Sequence, residues 1–178
     1  STAGEKLEDA RREQQERRIE QLHRMAARLD GHWTIVAGAL ASTPERALAS
    51  AQELGLAADR SYADFTAMAA AEAAREDGID AVSIVTPNHV HFPAAKAFLE
   101  AGIPVICDKP LTGNGADARA LADVASRTGT AFVLTHNYTG YPMVRQAREL
   151  VRSGQLGAIN QIHVEFMQDW MVPETAGQ

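Results

Sequence analysis

Residues 79–112, IDAVSIVTPNHVHFPAAKAFLEAGIPVICDKPLT, decide how the rest of the chain is read. Ala81 to Val85 is a short apolar, β-branched run that alternates poorly, the pattern of a parallel strand covered on both faces. It stops at Thr86-Pro87-Asn88, because Pro87 has no N–H to give to a ladder. A helix carrying Ala94, Ala95, Ala97, Phe98 and Leu99 follows, with Pro93 suited to its first turn and Gly102 at its end. A second apolar run, Ile103 to Cys107, then delivers Asp108-Lys109-Pro110. Strand, helix and strand in this order form a parallel crossover unit. Ligands of open α/β sheets bind beyond the carboxyl ends of the strands, so both polar clusters belong to one edge.

The flanking sequence repeats the alternation. Upstream, Trp33 to Leu40 reads as a strand, Pro44 starts a helix over 44–54, residues 55–63 connect, and Asp64 leads the helix FTAMAAAEAARED, which Gly78 closes. Downstream, Gly113-Asn114-Gly115 reads as a loop and helix start, an amphipathic helix runs from Ala116 to Arg127, and Gly129 ends it before the strand AFVLT. Pro142 begins a further helix, MVRQARELVRSG, and residues 158–172 alternate with the period of a half-buried strand. At the start, residues 5–20 hold eleven charged side chains in sixteen positions, with Glu and Arg at i,i+4 spacing. Ile19, Leu22, Ala26 and Leu29 then make an apolar stripe, and Gly31 ends the helix. The expected organisation is an N-terminal helix over 1–30, a Rossmann-like domain over 31–137, and over 138–178 a linker helix with the first strand of a second α+β domain.

Composition narrows the function classes. A 178-residue chain that is 46% hydrophobic can bury a core. A net charge of −6 and the absence of a basic stripe after residue 30 speak against a nucleic-acid surface, and the acids and bases of residues 5–28 are interleaved. The single cysteine, Cys107, sits in an apolar strand and is expected to pack rather than react. No apolar run is long enough to span a bilayer and no signal segment is visible, so a cytoplasmic location is the expectation. His89 and His91 lack further ligands at useful spacing, so no metal is expected.

The pair TPNHVH and CDKPL resembles the motifs of the Gfo/Idh/MocA family of nicotinamide-dependent oxidoreductases, and the resemblance covers roughly residues 23–178. It implies that Thr86, Pro87, Asn88 and His91 lie along the cofactor, with Asn88 and His91 near ribose and nicotinamide. It implies equally that Lys109, between Asp108 and Pro110, meets nicotinamide and substrate at the reacting centre. Asp108 stands where the family usually has Glu and keeps its charge. Asn137 is implied as a cofactor or substrate contact. Read from the residues, Lys109 at a strand mouth can relay protons or orient a hydroxyl, or else form an ion pair with a neighbouring carboxylate. Asn88 and His91 have capping or structural roles as alternatives, and Asn137 has turn formation. No acid ends the strand at Leu40; Ser42, Thr43 and Arg46 stand there instead, which favours NADP over NAD unless Ser42 or Thr43 simply caps the next helix.

Two departures qualify the resemblance. Such a domain should open with an apolar strand and a G-x-G-x-x-G turn, whereas this chain has Glu20-Gln21-Leu22-His23 within a charged helix. The downstream aspartate and histidine that complete proton transfer in the family have no match here. The expected fold is therefore a Rossmann-like doubly wound parallel sheet lacking the usual first strand and glycine turn. The expected function is the nucleotide-binding part of an NAD(P)-dependent oxidoreductase acting on a sugar or polyol hydroxyl, with weak or absent binding of NADP or NAD by this chain. The alternative is a non-catalytic relative serving folding or assembly. Exposed strand edges imply a homo-oligomer.

Overall fold

The computed structural model describes residues 20–41 and 43–167. They divide into two units, one ending at His136 and one beginning at Asn137. The expectations for residues 5–19 and 168–172, and for Ser42, lie outside the described residues.

The first unit is built on a parallel three-stranded sheet in the order β1 (Val82–Ile84), β2 (Val105–Cys107), β3 (Phe132–Leu134). Val82 pairs with Val105 and Val105 with Phe132, so the three strands run in step. The N–H of Val82 donates to the Pro104 carbonyl at 2.9 Å and that of Asp108 to the Ile84 carbonyl at 2.9 Å. Strands β1 and β2 are shorter than their apolar runs; at β2 the cause is Pro104, which cannot donate to a ladder.

Helix α4 (Asn88–Glu100) crosses from β1 to β2, and α5 (Gly115–Thr128) from β2 to β3. Their inner faces meet the sheet in one core of Ala94, Ala95, Phe98, Leu99, Leu121 and Val124 against Val82, Ile84, Val105 and Cys107. Helix α4 starts five residues before Pro93 and not at it. The proline therefore sits inside the helix and withdraws a donor from the carbonyl of His89, which lies in the exposed first turn. Helix α5 starts in the expected loop, one residue earlier than Ala116: Asn114 caps it, its side-chain oxygen accepting from the Asp117 N–H at 2.9 Å, and Gly129 follows with a φ of 66°.

Strands alternate their faces, so Ser83 points away from α4 and α5. There the helix described over 20–28, α1, meets the sheet: His23 Nδ1 lies 2.9 Å from Ser83 Oγ. Glu20, His23, Arg24 and Ala27 form its half-buried face, and Arg24 pairs with Glu20. The expected apolar stripe is turned outward instead, with Leu22, Met25 and Leu29 exposed. The contact at Ser83 is polar, so a polar helix face suits it better than an apolar one.

Trp33 to Leu40 is not a ladder strand as expected. It contributes a single parallel bridge, Gly38 to Ser61. Helix α2 (Pro44–Leu54) keeps the expected bounds, and the 3-10 turn Ala58–Arg60 leads to α3 (Phe65–Ala73). Asp64 caps α3, accepting at 2.8 Å from both the Thr66 and Ala67 N–H groups. The helix stops at Ala73, short of Gly78, and the chain turns through Arg75 and Asp77. An added Cβ on Gly78 would come within 2.2 Å of the Glu72 carbonyl oxygen, so this turn needs glycine for close approach.

The second unit holds the 3-10 turn Asn137–Gly140 and helix α6 (Pro142–Arg152), with Tyr138 and Tyr141 edge to face at 5.4 Å. Residues 158–167 form no strand ladder, contrary to the expectation for 158–172. Alternation marks a chain ready to pair, but a strand exists only with a partner, and none stands in this unit among the described residues.

Candidate active site

The three strands bring three polar ends to the carboxyl edge of the sheet: Thr86-Pro87-Asn88 after β1, Asp108-Lys109-Pro110 after β2, and Thr135-His136 after β3. The order follows from the parallel register alone, since in-step strands end together.

Lys109 is exposed, and among the described residues no hydrogen bond or ion pair engages its ammonium, so the ion-pair alternative is not realised there. Thr86 and Asn88 are exposed beside it in sequence order along the edge. Asn88 is the first residue of α4 and follows Pro87 at the cap position, where no side-chain cap bond forms. Among the described residues no hydrogen bond engages the Asn88 side chain, so its amide is open to a ligand.

His91 departs from its expected place along the cofactor. It is 1% exposed, with Nδ1 2.7 Å from the Pro110 carbonyl and Nε2 2.8 Å from the Thr86 carbonyl. Both ring nitrogens are engaged by backbone, which leaves no polar atom for ribose or nicotinamide. The cause is helical: one turn into α4 the side chain points back beneath the strand ends instead of out over them.

Asp108 is half-buried, and its Oδ1 accepts from Thr135 Oγ1 at 2.6 Å. Thr135 is the residue that the sequence reading passed over. Its available signal was a hydroxyl immediately past the end of a third parallel strand. The Lys109–Pro110 peptide is cis. Cys107, wholly buried under this edge, is held as the thiol: burial, with the Asp108 charge adding to it, pushes it up to about 12. That agrees with a packing role.

Thr43 stands at the cap of α2 but makes no side-chain cap bond, with Pro44 as the first helical residue. Asn137 opens the 3-10 turn of the second unit. The sheet edge thus gathers Thr86, Pro87, Asn88, Asp108, Lys109 and Pro110; Thr43 is on another segment of the first unit, and Asn137 belongs to the second.

A second polar cluster lies in the interior. Arg60, 8% exposed, donates from Nε to Glu72 Oε1 at 3.1 Å, from Nη2 to Glu72 Oε2, and from Nη2 to the Asp77 carbonyl at 3.1 Å. Tyr62 donates its hydroxyl to Glu72 Oε1 at 2.7 Å. Burial works to raise the Glu72 carboxyl, but donation from Arg60 and Tyr62 outweighs it and holds the group below its ordinary range. The cluster ties the turn before Ser61 to α3, and so anchors the bridge to Gly38.

The donors at the strand ends fit the ribose and nicotinamide of a dinucleotide, being exposed hydroxyl, amide and ammonium groups. The diphosphate end is different. Residues 20–28 are helical, so the N–H groups of residues 24–28 are spent internally and cannot cradle an anion.

A family model described as an oxidoreductase family with an NAD-binding Rossmann fold matches residues 14–136. An oxidoreductase of known structure from Sinorhizobium meliloti is 61% identical, with a TM-score of 0.75 over 79% of this chain and 39% of that one. An inositol dehydrogenase homolog from Azotobacter vinelandii, solved with NADH and myo-inositol, is 38% identical, with a TM-score of 0.73 over 79% of this chain and 37% of that one. D-xylose 1-dehydrogenase (NADP(+)) 2 of Haloferax volcanii is 34% identical over 131 residues, 73% of this chain and 38% of that protein. The chain therefore spans less than two fifths of the length of these relatives. Among the described residues no helix is long and apolar enough to cross a membrane. With its parallel sheet, its two motifs at one edge and a family match over most of its length, the chain belongs to the Gfo/Idh/MocA oxidoreductase family, as its nucleotide-binding portion.

Proposed function

We propose that this chain is the nicotinamide-proximal part of an NAD(P)-dependent oxidoreductase acting on a hydroxyl-bearing carbon of a sugar or polyol. The observation that carries the reading is an exposed Lys109, without a polar partner among the described residues, between Asp108 and Pro110 at the same sheet edge as Thr86 and Asn88. The sugar and polyol dehydrogenases among its relatives support the substrate class. When bound, nicotinamide supplies the hydride-accepting or hydride-donating carbon. The protein's own part is positional and electrostatic. Thr86 and Asn88 offer hydrogen bonds to ribose and carboxamide, while the Lys109 ammonium donates to a substrate hydroxyl oxygen and stabilises negative charge that develops there. Thr43 and Ser42, with no acid beside them, favour NADP over NAD. We place the protein in the cytoplasm and read it as a homo-oligomer.

The alternative, a non-catalytic module serving folding or assembly, draws on the helix at 20–28 where a phosphate-binding turn would serve catalysis. One titration separates the two. Nicotinamide fluorescence with NADH and NADPH should show loose, saturable binding, tighter for NADPH and lost in Lys109→Ala. Binding that Lys109→Ala leaves unchanged would overturn the reading.

A further inference from the structure

We propose that Thr135 and His91 are positioning residues for Lys109, each holding the backbone on one side of it. Lys109 has no polar partner of its own among the described residues, so its place at the sheet edge is set by its two neighbours in the chain. The neighbour before it, Asp108, is fixed twice. Its N–H donates to the Ile84 carbonyl at 2.9 Å, and its carboxylate accepts from Thr135 Oγ1 at 2.6 Å. The neighbour after it, Pro110, is held through its carbonyl by His91 Nδ1 at 2.7 Å, while His91 Nε2 reaches the Thr86 carbonyl at 2.8 Å.

These contacts join the ends of all three strands around one residue. Thr135 reaches from the end of β3 to the segment after β2, and His91 links that segment to the end of β1. An O–H···O contact of 2.6 Å to a carboxylate is at the strong end of the hydrogen-bond range, and the buried ring of His91 has no route to water as a substitute partner. Both clasps act on backbone or on Asp108, so neither takes up the Lys109 ammonium. The result is a lysine that is free at its tip and fixed at its base, as a group donating to a reacting hydroxyl requires.

The inference rests on Lys109 being the reacting lysine, but its test does not depend on cofactor binding. The chain has three lysines, Lys6, Lys96 and Lys109, so reductive methylation with 13C-formaldehyde gives three lysine signals at unchanged charge, and Lys109→Arg assigns the third. Thr135→Val keeps the side-chain shape and removes the donor. It should move the Lys109 signal toward that of a flexible lysine and leave the Lys96 signal alone, while Thr135→Ser keeps the parent spectrum. For the second clasp, His91→Gln, whose side chain cannot span both the Pro110 and Thr86 carbonyls, should likewise move the Lys109 signal toward that of a flexible lysine in a protein that circular dichroism shows to be folded. A folded Thr135→Val or His91→Gln protein with an unmoved Lys109 signal would overturn the proposal. A moved signal together with NADPH binding indifferent to Lys109→Ala would support the clasp and sink the functional reading instead.

Discussion

Replacing Arg60 by methionine should reveal how much of the first unit hangs on the interior cluster. Methionine fills similar volume without charge, so the change removes the three donations from Arg60 and leaves the Glu72 carboxylate, 2% exposed, with Tyr62 as its remaining hydrogen-bond partner among the described residues. Stripping one member from a buried ion pair costs about 3–5 kcal/mol, because the other charge stays buried and uncompensated. A unit of this size loses roughly 4 °C of Tm per kcal/mol, which puts the expected fall at roughly 12–20 °C. Urea unfolding followed by far-UV circular dichroism measures the loss, and the double variant Arg60→Met/Glu72→Leu should recover most of it, since an apolar pair of similar volume is often as stable as a buried ion pair. The pH dependence gives an independent arm. With its folded pKa depressed, Glu72 contributes stability that is present above its ordinary 4.5 and lost as pH falls through the lowered folded value. In Arg60→Met burial acts against Tyr62 alone, so that acid-side loss should shrink or reverse. A cost below about 1 kcal/mol, the worth of a surface pair, or a double variant weaker than the single one, would refute the argument.

Three further outcomes follow from the same geometry. Gly78→Ala should lower stability by about 1–3 kcal/mol in the same urea assay, because its Cβ meets a backbone carbonyl that cannot step aside; an unchanged midpoint would contradict this. Reduced nicotinamide mononucleotide should bind about as tightly as NADH, with ADP-ribose a poor competitor, since residues 24–28 spend their N–H groups in a helix; strong competition by ADP-ribose would show a diphosphate site. The chain should self-associate at micromolar concentration, driven by Ile162, Val164, Phe166 and Met167, all largely exposed, and Phe166→Lys should weaken the association; a monodisperse monomer in light scattering would count against it.

The strand, helix, strand unit over residues 79–112 was legible because every signal in it is local. Pro87 and Gly102 punctuate it, and the apolar runs have the length of strands and not of helices. The parallel order and the shared edge then follow from topology. What escaped was long-range or directional. Thr135 acts on a residue 27 positions earlier, and nothing in AFVLT announces that its last side chain meets Asp108. His91 lies in a motif whose resemblance places it along the cofactor, but its rotamer on α4 turns it under the strands. Glu72 sits in an alanine-rich helix, and nothing local in it announces Arg60, twelve residues away, as its partner. Helix α1 was found by its spacing, yet its orientation depended on what the sheet offered, which is a serine hydroxyl. The 158–167 alternation was read correctly as a pattern and wrongly as a strand within this unit, because pairing is a property of two segments and the pattern belongs to one.

The candidate site divides along the same line. Every contact that fixes its lysine end lies between residues 82 and 135: Asp108 on Ile84, Thr135 on Cys107 and on Asp108, His91 on Thr86 and Pro110. None of these uses a group that precedes β1. The end that would meet a diphosphate depends instead on the segment before residue 41, where the described structure is a helix touching β1 through His23. The backbone groups of Ser83 alternate with those of Val82 and Ile84, whose bonds go to β2, so Ser83 faces the open side of the sheet. A strand added on that side would satisfy those groups without disturbing the clasps around Lys109. The two halves of the site are therefore separable by mutation: His23→Ala should alter the contact at Ser83 and leave the Lys109 signal in place, whereas Thr135→Val should do the reverse.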